Sequence, residues 1–340
     1  MNAFTYTSPP ALRSALRLLS QGSGTAAVLA GGTDLLALLK DDIVAPAQLV
    51  NIKGIQSLHT LKIDGRTGLR AGCLRTLNEL ARNIDINTLY PALAVALGDA
   101  ASPQIRNMAT LGGNLCQRPR CWYFRNGYGL LALDASGKSL VLKGDNRYHA
   151  ILGNAGPAYF VSPSTIAPVL VALGATIEIA GPKGSRSIRL EEFYRIPRKP
   201  GDLEHDLGTD EIVAFVNLPP PSPNSSSAYY EVRQKHGFDW PAATATVSLV
   251  TKHKQILKAS VVLGHVAPIP WRSKEAESAL TGQVVDEAVA TAASHAALQP
   301  AHTLGQNGYK IQIARVALRR AILQAAGLAV PPPHPSKVLP

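Results

Sequence analysis

Two pairs of adjacent glycines have the neighbours expected of anion-binding turns. The first pair, Gly31-Gly32, follows the short apolar run Ala26 to Leu29 and precedes a second apolar stretch, Leu35 to Leu39. This pattern predicts a buried strand, a turn and the start of a helix. Glycine tolerates backbone angles that other residues avoid, and it places no side chain between the backbone amides and a ligand. The turn is therefore expected to present its amides to an anion such as a phosphate.

The second pair, Gly112-Gly113, lies about eighty residues further along the chain, between Thr110 and Asn114. Two such turns are what would be needed to hold a diphosphate from two sides. In the first turn, Thr33 and Asp34 fit the cap positions of the following helix, whose unpaired amides favour negative charge. The alternative, that the glycines serve only to turn the chain, also fits these residues.

The composition is that of a folded protein with more than one core. The chain has 340 residues, of which 46% are hydrophobic and 17% charged, and this length predicts two or three domains. The net charge is +11 with a pI near 9.7, but the basic residues are scattered, so we expect no nucleic-acid partner. No apolar run approaches the ~20 residues that span a bilayer, and the start resembles no signal peptide. We expect a cytoplasmic protein without a membrane span, unless a partner with its own export signal carries it to the periplasm.

The elements that would position the glycine pairs fall into two units. Residues 1–57 are predicted to form a small subdomain with alternating strands and helices. Residues 58–218 are predicted to form a second subdomain, with paired strands at its start and a poorly periodic insertion at about 116–150. The proline- and serine-rich segment 219–227 is typical of a linker.

Beyond the linker, residues 228–328 are predicted to form a smaller α/β domain. Three apolar strands are expected at Tyr229 to Gln234, Thr244 to Thr251 and Leu257 to Leu263, followed by helices. The proline-rich residues 329–340 are expected to form an extended tail. Together the elements predict an α+β fold in which a three-stranded, helix-covered sheet follows the unit that carries the glycine pairs.

The glycine pairs belong to longer motifs that resemble a known family. The segments AGGTDL (Ala30 to Leu35) and QIRNMATLGGNL (Gln104 to Leu115) are similar to the signature of the FAD-binding subunits of molybdenum hydroxylases, the xanthine dehydrogenase and carbon monoxide dehydrogenase flavoprotein family. The segments QRPRCWYFR (117–125) and NRYHAILG (146–153) resemble the FAD subunit of periplasmic aldehyde oxidoreductases. The resemblance covers most of the chain. It implies a PCMH-like FAD-binding domain of two subdomains, as in xanthine dehydrogenase, and a C-terminal domain of the CO dehydrogenase flavoprotein type.

The resemblance also implies where FAD would bind. One side of the diphosphate would contact the first glycine turn, and the other side would contact the second, with threonine and asparagine side chains as hydrogen-bond donors. No catalytic residue and no metal ligand is expected. The cofactor-binding residues implied in this way are Leu29, Ala30, Gly31, Gly32, Thr33, Asp34, Leu35, Ser102, Ala109, Thr110, Gly112, Gly113, Asn114, Arg118 and Thr165.

The chain departs from the family at one of these contacts. Family members commonly have a Pro-Ser-Asp sequence, in which the carboxylate contacts the ribityl region of FAD, whereas this chain has Pro163-Ser164-Thr165. Threonine donates and accepts hydrogen bonds but offers no charged acceptor. The departure predicts weaker binding of FAD and leaves its complete loss open.

The cysteine content predicts that an iron–sulfur cluster is absent. Close relatives hold a four-iron four-sulfur cluster on four thiolates in the insertion, one of which matches Cys121. Residues 122–160 contain no cysteine, and Ala158 occupies the position of another of these ligands. Such a cluster is normally held by four thiolates, and only Cys116 and Cys121 remain in this region. We expect both thiols to be packed side chains.

The other polar and aromatic groups give weaker signals. The serines lack the Gly-x-Ser-x-Gly setting of a hydrolase. Arg106 and Arg118, beside the second glycine pair, are either phosphate or partner contacts or surface charges. The run Trp122-Tyr123-Phe124 either covers a flavin edge or belongs to a core. None of the histidines that we considered has the ligand spacing of a metal site: His149, His205, His236 and His265.

The function implied by the resemblance is electron transfer. The chain would be the FAD-dependent oxidoreductase subunit of a heterotrimeric molybdenum hydroxylase of the aldehyde or xanthine dehydrogenase type, with a large molybdopterin subunit and a small two-iron two-sulfur subunit as partners. The flavin would pass electrons from the partner's clusters to an external acceptor, and the chain would perform no substrate chemistry. Two alternatives stay open: a cofactor-free scaffold subunit of such a complex, and an independent flavoenzyme of the same fold.

Overall fold

The computed structural model describes residues 1–22, 24–234 and 239–330. The first unit of the chain is built on a parallel sheet of three strands. Helix α1 packs its buried leucines against this sheet, and helix α2 begins directly after the first glycine pair, as predicted. The strand order is first, third, second. The elements are β1 (Thr5–Thr7), α1 (Leu12–Gln21), β2 (Ala26–Leu29), α2 (Leu35–Lys40) and β3 (Gln48–Asn51).

The second unit contains a five-stranded antiparallel sheet, in the order β4-β5-β8-β6-β7. Its strands are β4 (Leu61–Asp64), β5 (Gly68–Gly72), β6 (Thr176–Gly181), β7 (Gly184–Arg189) and β8 (Ile212–Leu218). Short helices in the long connection from β5 to β6 carry the second glycine pair and share one apolar core with the sheet. The helices are α3 (Leu77–Ala81), α4 (Ile84–Leu89), α5 (Pro91–Asp99), α6 (Pro103–Met108), α7 (Leu111–Leu115), α8 (Trp122–Arg125) and α9 (Ile166–Ala172), with α10 (Leu190–Phe193) after β7.

The second glycine pair lies in a helix, where the sequence predicted a turn. Gly112 and Gly113 occupy α7, and the N-cap Thr110 accepts a hydrogen bond of 3.1 Å from the Gly113 amide. The low helix propensity of glycine is outweighed here by packing. A Cβ on Gly112 would lie 2.7 Å from the Cβ of Cys73, so this close approach of α7 requires glycine.

The insertion predicted at about 116–150 is mostly irregular, and α8 is its helix. Polar side chains join it to the C-terminal part of the chain. Asn146 Nδ2 donates to the Leu304 carbonyl at 2.8 Å, and Asn307 Nδ2 donates to the Ala150 carbonyl at 3.0 Å. The insertion is therefore held in place by the last domain.

The C-terminal domain has a four-stranded antiparallel sheet in the order β12-β11-β10-β9. The sequence predicted three strands, and the additional β12 has only two residues, too few for a periodic pattern. Small and apolar residues of α13 pack on this sheet. The elements are β9 (Ser225–Val232), β10 (Ala243–Lys252), β11 (Gln255–Gly264), β12 (Trp271–Arg272), α11 (Lys274–Leu280), α12 (Glu287–Ala297) and α13 (Tyr309–Ala325).

The predicted domain boundaries stay predictions, with one difference in detail. Strand β9 begins at Ser225, so the last three residues of the predicted linker 219–227 belong to the strand. Residues 331–340 of the predicted tail lie outside the described part of the chain. Across the described ranges, the helices are all too short or too polar to pass through a bilayer.

Candidate functional site

The two glycine-containing segments meet at Gly31. A Cβ on Gly31 would lie 1.9 Å from the Met108 carbonyl oxygen and 3.4 Å from the Ala109 Cα. Only glycine allows so close an approach of two backbones. The neighbouring Gly32 has φ +73°, in the left-handed region that glycine favours. The structure therefore brings the first glycine turn against the chain that leads into α7.

The backbone amides of the two segments differ in their hydrogen bonding. Within residues 1–22, 24–234 and 239–330, the amides of residues 31–34 donate no hydrogen bond. The amides of residues 111–114 are all used, by the carbonyls of Arg75, Cys73 and Thr110 and by the Thr110 hydroxyl. Successive unpaired amides in a turn form an anion-binding arrangement. A phosphate is therefore expected on the first turn, while the second segment offers side chains.

A cavity of about 430 Å³, which we call the glycine-turn cavity, lies against both segments. Its volume is in the range of small-molecule sites. Of the other predicted site residues, Leu29 to Gly32 and Leu35 form the first turn and its flanks, and Thr110 and Gly112 begin α7. The predicted residues that line the cavity are Thr33, Asp34, Ser102, Ala109, Gly113, Asn114 and Thr165.

Asp34 fixes the start of the insertion beside this cavity. It is the N-cap residue of α2, but its side chain makes no capping hydrogen bond, contrary to the predicted role. The carboxylate instead accepts from the Arg118 amide at 2.8 Å and from Arg125 Nη2 at 2.7 Å, and it lies 3.0 Å from Arg120 Nη2. Only 14% of the Asp34 side chain is exposed, so solvent screens these contacts weakly.

Arg118 and Arg120, in the segment that Asp34 holds, make different contacts. The Arg118 guanidinium pairs with Glu204, and Arg118 does not belong to the lining of the glycine-turn cavity among the described residues. Its assignment to the cofactor stays a prediction. Arg120, which the sequence analysis missed, lines the cavity, and its guanidinium lies 4.9 Å from the ring centroid of Trp240. Burial lowers the pKa of Arg120, and Asp34 opposes this shift.

Arg106 holds the backbone that forms one side of the cavity. Its Nη1 donates to the carbonyls of Ala100 and Ala101 at 3.1 and 2.8 Å. These bonds fix the residues before Ser102, which caps α6. The Arg106 guanidinium therefore binds the backbone of its own loop, a contact that was not among the roles left open for it.

Thr165 and Asn114 lie on the same wall of the glycine-turn cavity. Thr165 is buried, with 4% of its surface exposed. Its neighbour Ser164 donates to Asn114 Oδ1 at 2.7 Å and accepts from the Ala167 amide at 2.9 Å. The Asn114 side chain is thus fixed at the cavity wall by a residue of the Pro-Ser-Thr sequence.

The residues of the insertion do not fit a four-iron four-sulfur cluster. Leu131, Ala158 and Phe160 form a small apolar cluster with Cys121 at its edge, so aliphatic and aromatic side chains surround the expected ligand positions. Burial raises the pKa of Cys121 and raises that of Cys116 to about 12, which favours protonated thiols. The absence of the cluster stays a prediction, and iron and acid-labile sulfide analysis of the pure protein tests it.

In the aromatic run Trp122-Tyr123-Phe124, the first and last rings have different surroundings. Phe124 is buried, with the Arg118 guanidinium 5.1 Å from its ring centroid. Trp122 packs edge-on against Tyr148 and His149, each at 5.7 Å between ring centroids. The core alternative therefore holds for Phe124, whereas Trp122 belongs to an aromatic group beside a second cavity.

Of the histidines that we considered, His205 packs on an aromatic ring, whereas His149 and His265 are buried. The His205 ring stacks on Phe193 with centroids 5.2 Å apart, and His236 lies outside the described residues. Burial, with a contribution from Lys310, lowers the pKa of His149 to about 4 and that of His265 to about 3. Both rings are therefore neutral at pH 7.

These two rings predict a loss of stability in mild acid. Below pH 6.5 the unfolded chain binds protons at His149 and His265, whereas the folded chain does so only near pH 4 and pH 3. The free energy of unfolding should thus decrease as the pH falls from about 6.5 to 4, by up to about 1.4 kcal/mol per pH unit for each ring. Urea unfolding at several pH values measures the slope. His265→Asn should flatten it, whereas His295→Gln, at an exposed position, should not; equal slopes in both variants would contradict the assignment.

Comparison with known proteins shows the family of the chain. Residues 2–221 match the family described as FAD binding domain in molybdopterin dehydrogenase, and residues 227–325 match the CO dehydrogenase flavoprotein C-terminal domain. The chain belongs to this FAD-binding family. The first match contains both glycine pairs and Thr165, and the second begins at β9.

Relatives in this family align along nearly the whole chain. The aldehyde oxidoreductase FAD-binding subunit of Escherichia coli is 33% identical over 97% of this chain and all of the relative. The carbon monoxide dehydrogenase medium chain of Afipia carboxidovorans is 27% identical over 96% of this chain and 98% of the relative. A chain of carbon monoxide dehydrogenase from Hydrogenophaga pseudoflava superposes with a TM-score of 0.74 at 26% identity, over 96% of this chain and 98% of that one. The predicted family, fold and cofactor are thereby confirmed.

The site fits FAD on its own geometry as well. The unpaired amides of residues 31–34 suit the diphosphate, and the close contact at Gly31 joins the two segments that flank the cavity. Several residues that line the cavity were not among the predicted site residues: Leu77, Gln104, Gln117, Arg120, Arg233 and Trp240. Gln104, Gln117 and Arg120 lie in the motifs quoted from the sequence, whereas Leu77, Arg233 and Trp240 have no local signal.

Proposed function

We propose that this chain is the FAD-carrying, electron-transferring subunit of a molybdenum hydroxylase of the aldehyde or xanthine dehydrogenase type. The row of unpaired amides at residues 31–34, whose last two residues line a cavity shared with α7, supports this proposal most strongly. A reactive flavin needs a protein that binds and orients it, and the chain offers such a site. Bound FAD would supply two-electron oxidation and reduction.

The residues of the chain then have binding and positioning roles. The amides of residues 31–34 would hold the diphosphate, with Thr33, Asn114 and Thr165 as side-chain contacts along the cavity wall. Asp34 holds the segment 118–125 in place and so positions Arg120 at the cavity. The chain would perform no substrate chemistry of its own.

The partners would be a large molybdopterin subunit and a small two-iron two-sulfur subunit. The relatives include an aldehyde oxidoreductase FAD-binding subunit and carbon monoxide dehydrogenase medium chains, which are named as parts of larger enzymes. The chain would pass electrons from the partner's clusters to an external acceptor. The scattered positive charge of +11 suits contact with acidic partner surfaces.

Purification of the native complex tests the proposal. The chain should co-purify with a molybdenum protein and show the visible absorption of bound flavin, with one FAD per chain. A lone stable monomer that is reduced directly by a small substrate would instead identify an independent flavoenzyme.

Thr165 gives a test of the cavity wall. Thr165→Val keeps the shape of the side chain but removes its hydroxyl, so one hydrogen bond to FAD should be lost. We expect FAD affinity to fall by about tenfold, or about 1.4 kcal/mol, in a titration followed by flavin fluorescence. Thr88→Val, at an exposed position of α4, is the control. Equal affinity in Thr165→Val and the parent chain would remove Thr165 from the site.

A scaffold subunit without FAD is the second candidate, and the observation that favours it is Thr165 itself. The carboxylate common at this position in the family is missing, so the chain has one charged contact fewer for the cofactor. Absence of a flavin spectrum after addition of excess FAD to the assembled complex would identify the chain as a scaffold subunit without FAD.

A further inference from the structure

Gln117 lies between the two segments that flank the glycine-turn cavity. Its side-chain Nε2 donates to the Asn114 carbonyl in the last turn of α7, at 2.9 Å. The amide of the next residue, Arg118, donates to the Asp34 carboxylate at 2.8 Å, and Asp34 ends the row of unpaired amides in the first turn. Gln117 is therefore held from both sides of the expected diphosphate site.

The contact with Asn114 fixes which way the Gln117 amide group points. The carbonyls in the last turn of a helix have no partner within that helix, and the Asn114 carbonyl is one of them because α7 ends at Leu115. A carbonyl oxygen accepts hydrogen bonds but cannot donate. Only the nitrogen of the glutamine amide can bond it, so the amide oxygen Oε1 points away from the end of the helix.

The Oε1 atom of Gln117 is open to the glycine-turn cavity. Gln117 belongs to the cavity lining, although only 8% of its surface is exposed. Within residues 1–22, 24–234 and 239–330, Oε1 has no hydrogen-bond partner, and it is not among the side-chain oxygens that are closed off from solvent. Gln117 thus presents a neutral hydrogen-bond acceptor, with a fixed direction, to a ligand in the cavity.

The other acidic and amide side chains of the lining do not offer the same group. The Asp34 carboxylate is bound to three arginines of the insertion. Asn114 Oδ1 accepts from Ser164 at 2.7 Å. Gln104 is exposed on α6, and Asp239, from the C-terminal domain, is a carboxylate. Gln117 is therefore the neutral acceptor that adjoins both glycine-containing segments.

An acceptor at this position selects the part of FAD that it can contact. The oxygens of a diphosphate are acceptors themselves, so they cannot bond Oε1 of Gln117. A hydroxyl group can, because it carries a donor. In FAD, hydroxyl-bearing groups adjoin the diphosphate on both sides: the ribityl chain on one side and the ribose of adenosine on the other.

We propose that Gln117 binds FAD by accepting a hydrogen bond from a cofactor hydroxyl next to the diphosphate. This role rests on the proposed function, because it places the diphosphate on the amides of residues 31–34. Gln117 would mark the end of the diphosphate position and so fix how far the cofactor enters the cavity. It also gives the chain an acceptor for a FAD hydroxyl although position 165 has no carboxylate.

Two FAD analogues test the proposal on the unmodified chain. Each lacks one hydroxyl next to the diphosphate: 4′-deoxy-FAD lacks it in the ribityl chain, and the analogue made with 3′-deoxyadenosine lacks it in the ribose. In a titration followed by flavin fluorescence, one analogue should bind about tenfold more weakly than FAD, the factor for one lost hydrogen bond. The weaker analogue identifies the part of FAD that Gln117 contacts. Equal affinities for FAD and both analogues would overturn the proposal.

Gln117→Leu tests whether Gln117 is the acceptor. Leucine is similar in size but accepts no hydrogen bond, so FAD affinity should fall by about tenfold. The variant should also bind FAD and the weaker analogue equally, because the bond is already absent. Since both ligands are compared on one variant, the lost contact with the Asn114 carbonyl affects them alike. A difference that persists in Gln117→Leu would assign the acceptor to another group and would overturn the proposal.

Gln299→Leu is the matched control, at an exposed glutamine of the C-terminal domain. It should keep the FAD affinity of the parent chain and the full difference between FAD and the weaker analogue. Two failures can be distinguished. If the parent chain binds no FAD, the proposed function fails and the role of Gln117 fails with it. If the parent chain binds FAD and Gln117→Leu binds it equally well, only the role of Gln117 is wrong.

Discussion

Gly31→Ala is expected to abolish the binding of FAD. The added Cβ would lie 1.9 Å from the Met108 carbonyl oxygen and 2.8 Å from the Met108 carbonyl carbon, well inside the contact distance of these atoms. Because both neighbours are backbone atoms, the first glycine turn and the chain before α7 must move apart. The amides of residues 31–34 would then move relative to the cavity wall formed by α7. We expect FAD affinity to fall by at least about 100-fold, or about 2.7 kcal/mol.

The matched control for this variant is Gly98→Ala. Gly98 lies in α5 of the second unit, and a Cβ there would have no heavy atom within 4 Å. Alanine is favoured over glycine inside a helix by roughly 0.5–1 kcal/mol, so Gly98→Ala should keep FAD and unfold at a slightly higher temperature. Circular dichroism checks that Gly31→Ala is folded. A folded Gly31→Ala chain with full FAD occupancy would contradict the role given to this contact.

Asp34→Ala should have the second largest effect, on both stability and FAD binding. Its carboxylate holds the Arg118 amide and the guanidinium groups of Arg120 and Arg125. Removing one partner from such a weakly exposed charged network leaves the other groups unpaired, which costs about 3–5 kcal/mol. We expect the free energy of unfolding to fall by about 3 kcal/mol, and FAD to be lost as the segment 118–125 moves.

Asp42→Asn is the control for this second variant. Asp42 carries an ion pair with the chain amino terminus, but 59% of its side chain is exposed, and such pairs contribute at most about 1 kcal/mol. Urea unfolding and flavin fluorescence should therefore show little change in Asp42→Asn. If Asp34→Ala and Asp42→Asn were equally stable, Asp34 would not hold the insertion in the way described.

The first glycine turn could be predicted from the sequence because its signals are local. An apolar run, two glycines and a second apolar run correspond to β2, the turn and α2 at nearly the predicted residues. The second pair was placed correctly in the chain but its conformation was not. The low helix propensity of glycine favours a turn. The N-cap Thr110 and the packing of Gly112 on Cys73 instead stabilise this segment as the helix α7.

The surroundings of the turns depend on contacts between distant parts of the chain. No spacing in the sequence relates Asp34 to Arg125, which lie 91 positions apart and 2.7 Å from each other. The same holds for Trp240, which reaches the glycine-turn cavity from the C-terminal domain. His149 and His265, which both line the second cavity, were noted in the sequence only as lacking metal-ligand spacing. Their common feature, a buried ring at one cavity, exists only in the folded chain.

Hydrogen–deuterium exchange with and without FAD tests the central claim most directly. If the diphosphate lies on the first turn, the amides of residues 31–34, which donate no hydrogen bond within the described residues, should exchange much more slowly once FAD is bound. The amides of residues 111–114, which already have protein acceptors, should change little. Unchanged exchange at residues 31–34 in a chain whose absorption spectrum shows bound FAD would contradict the account.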